Sequence, residues 1–197
     1  MGKNKAKVYI GIPCQDTIKA KTAFSLVHAV RNVDFEYDFI MRLGCDIIGS
    51  RAWLARQAVK NGSTHLLFVD SDMFFPPIKE KGRFVSPITR LLEQDKDIIG
   101  ASYNFRSLPE KSTAFPLAES PDKSRPYKCH AVGTGFLLIK TSVFEKVEEP
   151  WFQFGRNAEG EMVRGEDVHF CQKAIEAGYE VWADPTIGVK HLGEYLY

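Results

Sequence analysis

The chain has 197 residues, of which 44% are hydrophobic and 26% are charged, and this composition is typical of one globular domain and excludes a disordered or fibrous chain. Lysine and arginine total 26 against 25 for aspartate and glutamate, so the formal net charge is +1. Because nucleic-acid binding rests on clustered cations that neutralise phosphates, this balance argues against a nucleic-acid partner.

The first half of the chain alternates short apolar runs with helical patterns. Strands are predicted over 8–12, 35–41 and 65–69, with the first one ending at Pro13. Helices are predicted over 23–32 and 47–60 from apolar residues spaced at helical intervals. The run 65–69 is continuously apolar, which indicates a central strand that is covered on both faces.

The second half continues the same alternation but contains two irregular segments. Further strands are predicted over 98–102, 131–140 and 180–184, and further helices over 87–94, 141–147 and 167–177. Segments 103–130 and 150–165 have no period and are predicted to be loop regions. The pattern predicts an α/β fold, a three-layer α/β/α sandwich with a mostly parallel central sheet, as a single domain over 1–197.

Two carboxylates follow the most apolar strand. Asp70 and Asp72 come directly after 65–69, and an open α/β sheet binds its ligands beyond the carboxyl ends of its strands. Such a pair can hold Mg²⁺ or Mn²⁺, and the cation would also bind phosphate oxygens of a ligand. Turn formation and capping explain the same two residues, so the pattern alone leaves both interpretations open.

A second pair of carboxylates opens a predicted helix. Glu166 and Asp167 follow Gly165, where unpaired N–H groups and the helix dipole stabilise negative charge. Capping is therefore a complete structural explanation. The functional interpretation is a general base held at the mouth of the site.

Other positions carry weaker signals. His191 follows the last predicted strand, and a lone histidine is more often structural, although imidazole beside Asp72 would favour Mn²⁺ over Mg²⁺. Gly133 and Gly135 interrupt an apolar run, which indicates a bulge, a close approach by a ligand or packing against a helix. Arg51 lies on the helix before 65–69 and could face a phosphate, although solvent is the default for a helical arginine.

The order of these signals resembles that of the GT-A glycosyltransferases, above all the small family-2-type enzymes of bacteria, phages and large viruses. The resemblance rests on THLLFVDSDMFFP, DIIGASYN, GTGFLLIK and GEDVHFCQKAIEAGY, followed by a late histidine, and it spans about residues 8–193. It implies a metal-dependent transfer of a sugar from a nucleoside-diphosphate sugar, with UDP or GDP as the nucleotide, to a hydroxyl of a carbohydrate or glycan. Inversion at the anomeric carbon is expected from the resemblance alone.

The resemblance also implies roles for the carboxylates and the histidine. Asp72 would coordinate Mn²⁺ or Mg²⁺, Asp70 would contact the ribose or sugar and help to hold the metal, and His191 would be the third protein contribution. Asp167 would be the catalytic base. Glu166 would be its partner and contact the acceptor or donor.

The remaining roles concern the nucleotide. Ile12 and Pro13, at the end of the first strand, would border the base, and Arg51 would face the nucleotide. Gly133 and Gly135 are included among the donor-binding residues, because a ligand can approach a glycine backbone closely.

Two alternatives remain open. A nucleotidyltransferase also binds a nucleotide and a metal on an α/β sheet, but it would normally have glycine and lysine in the loop after the first strand, which here is PCQDTIKAK. A non-catalytic nucleotide- or sugar-binding module would keep the fold and would need no base. The set of three aspartates and a late histidine favours an enzyme.

The sequence also predicts where the protein acts. Apolar runs last only about four residues against the roughly 20 that a membrane helix needs, so no transmembrane segment is expected. Cysteines stand at 14, 45, 129 and 171 without a C-x-x-C pair. Such scattered thiols favour a reducing compartment, and a cytoplasmic location is predicted.

Overall fold

The structure, a computed structural model, describes residues 5–80 and 82–193 of the chain. Within that part the helices are α1 (Ala20–Ala29), α2 (Ile47–Lys60), α3 (Pro87–Glu93), α4 (Val143–Lys146) and α5 (Glu166–Glu176). The strands are β1 (Lys7–Cys14), β2 (Glu36–Leu43), β3 (His65–Val69), β4 (Met73–Phe74), β5 (Ile78–Glu80), β6 (Arg83–Val85), β7 (Ile98–Ala101), β8 (Phe115–Pro116), β9 (Tyr127–Ala131), β10 (Phe136–Lys140), β11 (Gly155–Arg156), β12 (Met162–Arg164), β13 (Val181–Asp184) and β14 (Lys190–His191).

A central sheet of eight strands organises the fold, in the order β2-β1-β3-β10-β7-β13-β9-β8. β1 is parallel to β2 and β3, and β7 is parallel to β13. β10 is antiparallel to β3 and β7, and β9 is antiparallel to β13 and β8. Only β10 and β9 therefore run against the other six strands of this sheet, which confirms the mostly parallel sheet.

Helices cover both faces of this sheet. Leu54 of α2 and Phe170 of α5 are buried in one hydrophobic cluster, and Leu26 of α1 and Leu91 of α3 are buried in the other. The residues of β3 alternate between the two clusters and are buried on both faces, apart from the half-buried first residue. This arrangement confirms the three-layer α/β/α sandwich and the central position of β3.

The first strand continues past the point where the sequence predicts it to end. β1 stays paired with β2 through Pro13 to Cys14, whereas its pairing with β3 ends at Gly11. The carbonyl of Lys7 points toward the β3 side, where it accepts a hydrogen bond from the N–H of Thr64. Every second residue of β1 after Lys7, including Pro13, directs its backbone groups to this same side. The missing N–H of Pro13 would therefore point toward β3, and β3 no longer pairs with β1 at this position. No hydrogen bond of the sheet is lost, so the strand tolerates the proline.

Segment 103–130 is not entirely a loop, which corrects the prediction. It contains β8 and the first four residues of β9, and both strands belong to the central sheet. The predicted strand over 131–140 divides into the end of β9 and β10, with a turn between them. The strands were missed because β8 has two residues and β9 alternates buried and exposed positions over only five.

Among the described residues, no helix has the length and apolarity that crossing a membrane requires.

Candidate functional site

The predicted site residues gather at the carboxyl end of the central sheet. The N–H of Asp70, directly after β3, donates to the carbonyl of Gly135 at 3.0 Å. The N–H of Lys19, which precedes α1, donates to the carbonyl of Ser71 at 2.9 Å. The loop 70–72 is thus fixed by backbone hydrogen bonds on both sides, as a pre-organised site requires.

A buried arginine connects three elements at this edge. Arg51 of α2 has a side chain only 3% exposed. Its Nη2 lies 3.0 Å from Oδ1 and 3.3 Å from Oδ2 of Asp70, and its Nε lies 3.1 Å from Oε1 of Glu166. Burial acts to lower the pKa of Arg51, but the two carboxylates outweigh it and the pKa is raised. The default expectation of a solvent-exposed Arg51 is therefore wrong.

One donor group of Arg51 has no hydrogen-bond partner in the described part of the chain. Its guanidinium carbon lies 5.4 Å from the centre of the Phe68 ring, so β3 supports it from one side. Its Nη1 is buried and has no acceptor among residues 5–80 and 82–193. The predicted contact of Arg51 with a nucleotide stays a prediction, and in this structure the buried guanidinium presents no exposed nitrogen for it.

Asp167 lies in the first turn of α5, beside Glu166. Its Oδ1 accepts the N–H of Val168 at 2.8 Å, so it pairs one of the N–H groups that the first turn of a helix leaves without a partner. A Cβ at Gly165 would lie 2.5 Å from the same oxygen, which explains the glycine there. Burial, and then the charge of Glu166, raise the pKa of Asp167. A carboxylate with a raised pKa is suited to accept a proton near neutral pH.

A second cluster surrounds Asp72. β4 and β14 pair antiparallel and bring His191 beside Met73. Oδ1 of Asp72 lies 3.3 Å from Nε2 of His191, and Oδ2 lies 3.1 Å from Nη1 of Arg106. Burial acts to raise the pKa of Asp72, but His191 and Arg106 outweigh it and the pKa is lowered. Asp72 is therefore an ionised carboxylate between two cationic or polar partners.

The structure does not bring the three predicted metal ligands together. Asp70 faces Arg51, whereas Asp72 faces His191. No group of three His, Cys, Asp or Glu side chains in the described part of the chain could hold a metal ion. Asp72 and His191 nevertheless fit a cation, because Mg²⁺ and Mn²⁺ are often held by few protein groups together with substrate phosphates and water.

Tyr103, whose role the sequence does not predict, explains the two glycines of the Gly133-Thr134-Gly135 run. The hydroxyl of Tyr103 accepts the N–H of Gly135 at 2.9 Å. A Cβ at Gly133 or at Gly135 would lie 2.5 Å from that oxygen. Both glycines lie between β9 and β10, not within a strand as predicted. A side chain of the protein thus makes the close approach, and donor binding by the glycines stays a prediction.

Tyr103 also joins the two clusters. Burial, and then the charge of Asp70, raise its pKa. Its ring stands edge-on to that of His191, with centroids 5.9 Å apart. Tyr103 follows β7 by two residues, and its place after a strand at the carboxyl edge is the signal that could have identified it.

A cavity of about 1080 Å³ adjoins the Asp72 cluster. Lys19, residues 102–108, Lys190 and His191 form much of its lining. Its lining contains three cations, Lys19, Arg106 and Lys190, and one carboxylate, Glu110, and this excess of positive charge suits an anionic ligand. Its volume is slightly larger than the usual range for small-molecule pockets.

Ile12 and Pro13 occupy the predicted end of β1 but are buried there. The side chain of Ile12 belongs to the hydrophobic cluster on the α1 face. The prediction that these two residues border a nucleotide base is not tested.

Comparison with known proteins yields structural neighbours only. No protein-family model matches the chain, and no curated protein matches it. It is similar to the crystal structure of A197 from STIV, with a TM-score of 0.66 and 18% identity over 95% of this chain and 86% of that one. It is also similar to a UDP-glucose pyrophosphorylase complexed with UDP-glucose, with a TM-score of 0.53 and 10% identity over 92% and 90% of the two chains. At these identities the likeness shows that the chain shares the fold of these two proteins.

Proposed function

We propose that the protein is a metal-dependent glycosyltransferase that moves a sugar from a nucleoside-diphosphate sugar to a hydroxyl of a carbohydrate or glycan, with inversion. The proposal is supported chiefly by Asp167, a carboxylate with a raised pKa. The adjacent Glu166 is bound to Arg51, which also binds Asp70 at the end of β3. Glu166 and Arg51 thus connect Asp167, the proposed proton acceptor, to the carboxyl edge of the sheet, where α/β folds of this kind bind their ligands.

In this proposal Asp167 is the base and Glu166 positions it. Asp167 would accept the proton of the acceptor hydroxyl while that oxygen attacks the anomeric carbon. Such proton transfer contributes about 10²–10⁴-fold to the rate. The contact of Glu166 with Arg51 holds the first turn of α5 in place, because the buried guanidinium has little freedom to move.

Asp72 and His191 would hold Mn²⁺ or Mg²⁺, which supplies Lewis-acid stabilisation of the departing diphosphate. Arg106 would leave Asp72 when the cation binds, and its half-exposed side chain allows this. Lys19 and Lys190 add positive charge to the adjoining cavity. Asp70 keeps its contacts with Arg51 and faces the ribose or sugar of the donor.

A nucleotidyltransferase is the second candidate. The fold likeness to UDP-glucose pyrophosphorylase favours it, because that enzyme's name describes a nucleotidyltransferase. The segment 13–21, from the end of β1 to the start of α1, contains lysines but no glycine, which argues against a phosphate loop of that class. A binding module without turnover is the third candidate, and it would have no use for a base with a raised pKa.

The products of the reaction distinguish these candidates. The protein is incubated with Mn²⁺, a panel of UDP- and GDP-sugars and glycan acceptors, and separately with nucleoside triphosphates and sugar 1-phosphates. We expect release of a nucleoside diphosphate from one donor, and its loss in Asp167→Asn with nucleotide affinity retained. Release of pyrophosphate from the second mixture would establish the nucleotidyltransferase. Binding without either product would establish the module.

A cytoplasmic location belongs to the same proposal. The four cysteines, at 14, 45, 129 and 171, are all free thiols in the structure. Unpaired thiols are typical of proteins in a reducing compartment. Nucleoside-diphosphate sugars would have to be supplied in that compartment.

A further inference from the structure

The strand β2 forms one edge of the central sheet, and its outer side has no partner strand among residues 5–80 and 82–193. It is eight residues long. Its residues Tyr37, Phe39, Met41 and Leu43 are apolar and 41–60% exposed. A long edge strand with an exposed apolar face is a template for pairing with another chain.

The backbone of β2 presents its unpaired groups at these same positions. The N–H of Glu36 donates to the carbonyl of Ala6 at 2.9 Å, and that of Gly44 donates to the carbonyl of Cys14 at 3.0 Å. Even-numbered residues therefore form the ladder with β1. The N–H and C=O groups of the odd residues in 37–43 point outward, because successive residues of a strand bond to opposite sides.

We infer that β2 pairs with β2 of a second copy of this chain, antiparallel, about a two-fold axis at Phe39. The outward backbone groups require odd residues to pair with odd residues. Centred on Phe39, the pairing places Tyr37 opposite Met41 of the second copy and keeps both apolar rows on one face. It also places Glu36 opposite Arg42 of the second copy, so each end of the pair carries opposite charges.

The existing contact of Asp38 and the residue opposite Glu36 decide between this register and its neighbour. A pairing about Ile40 would place Arg42 opposite Asp38, whose Oδ2 already accepts a hydrogen bond from Asn61 at 2.7 Å. It would also leave Glu36 opposite a glycine. The register centred on Phe39 gives Glu36 an opposite charge and leaves the bond between Asp38 and Asn61 intact.

Such an interface is isologous, because the same strand serves both copies. It joins two eight-stranded sheets into one and removes an exposed edge from each. The pairing lies at the β2 end of the sheet and involves neither Asp167 nor Asp72. It does not depend on the proposed reaction.

The mass of the protein in solution tests the inference. Light scattering during gel filtration, over a range of concentrations, is expected to show a dimer for the wild type. Phe39→Lys should raise the dimer dissociation constant roughly tenfold or more. Phe84→Lys is the matched control, because Phe84 is 75% exposed and lies on β6, and it should leave the dimer unchanged. A monomeric wild type, or a dimer that Phe39→Lys does not weaken, would overturn the inference.

A charge exchange tests the register. Glu36→Arg places two arginines opposite each other and should weaken the dimer, and the further change Arg42→Glu should restore part of the lost affinity. Restoration is partial because Arg42 also lies 5.1 Å from the ring of Trp53 in its own chain. Glu145→Arg on α4 is the control. If Glu36→Arg leaves the dimer unchanged, the register centred on Phe39 is wrong.

Discussion

Two aspartates only two positions apart have opposite environments in this protein. Asp70 is bound through both oxygens by Arg51, whose side chain is 3% exposed. Asp72 contacts His191 and Arg106, and the side chain of Arg106 is 53% exposed. One carboxylate is held by a buried partner that cannot leave, and the other is held by a partner that can.

This difference in partners indicates that Asp70 has a positioning role and that Asp72 has a ligand-binding role. A buried ion pair is costly to break, because removing one partner leaves an uncompensated charge. In the pair of Arg106 with Asp72 only the arginine is exposed, and an exposed arginine can leave its carboxylate more readily than a buried one. We therefore assign the Asp70 side to the placement of α5 and its base, and the Asp72 side to the cation and the diphosphate.

Asp167→Asn gives the largest expected effect. Turnover should fall about 10²–10⁴-fold, because the base is lost, while nucleotide affinity measured by calorimetry stays the same. Asn carries no charge, so the variant also removes the cost of ionising a half-buried carboxyl group. Unchanged turnover would exclude Asp167 as the base.

The pH dependence of the same residue has a defined sign. Burial and Glu166 raise the pKa of Asp167 in the folded state. Between its ordinary and its raised pKa the folded state holds more protons than the unfolded state, so this group's contribution to stability falls as pH rises. We expect wild-type turnover to increase with pH through that window, and Asp167→Asn to melt above the wild type at neutral pH but not below pH 3. Equal melting temperatures at neutral pH would contradict the raised pKa.

Arg51→Met tests the fixed side of the comparison. It leaves Asp70 and Glu166 without their counter-charge and should reduce the free energy of unfolding by about 3–5 kcal/mol. The control is Arg56→Met on the same helix, whose pair with Glu149 is exposed and should cost at most about 1 kcal/mol. Urea unfolding measures the free energy of unfolding of both variants. Equal losses would show that the buried contacts of Arg51 stabilise the fold no more than an exposed ion pair does.

Gly135→Ala tests the contact that joins the two sides. A Cβ there would lie 2.5 Å from the hydroxyl of Tyr103 and 3.2 Å from Oδ2 of Asp70, so we expect a loss of about 1–3 kcal/mol. Tyr103→Phe should relieve part of that loss in the double variant. Gly188→Ala is the control, because a Cβ there has nothing within 4 Å. If the losses of stability of Gly135→Ala and Tyr103→Phe simply add in the double variant, measured by thermal unfolding, the close approach of the Tyr103 hydroxyl to Gly135 would be contradicted.

Arg106→Ala, which changes the Asp72 side, gives the smallest expected effect. Arg106 competes with a cation for Asp72, so its removal should tighten Mn²⁺ binding, measured without nucleotide, by up to about fivefold. Arg125→Ala, which removes an exposed pair with Asp122, should leave Mn²⁺ binding unchanged. Weaker Mn²⁺ binding in Arg106→Ala would contradict the competition.

The sequence predicts the layers of the fold well because they depend on local apolar patterns. The bounds of α2 and β3 are the predicted ones, since the helix has a clear period and the strand is continuously apolar. β8 and β9 were missed because they are short and are stabilised by pairing with β13 and with each other. Such pairing depends on distant residues and leaves little trace in a local pattern.

The site is less predictable because it depends on contacts between distant residues. The position of Asp70, Asp72 and Asp167 after a strand or before a helix is visible in the sequence. The partner of each is not: Arg51 reaches Glu166 across 115 positions, and nothing in a helical pattern shows that an arginine is buried. Tyr103 was missed for the same reason, because its two glycines are about 30 positions away.

The most direct test of this account is calorimetric titration of UDP and GDP, with and without Mn²⁺, into the wild type and into Asp72→Asn. We expect one nucleoside diphosphate to bind the wild type in the presence of Mn²⁺. Its affinity should fall roughly tenfold or more when either Mn²⁺ or the Asp72 carboxylate is removed. Affinity that is independent of both, or no binding of either nucleotide, would contradict it.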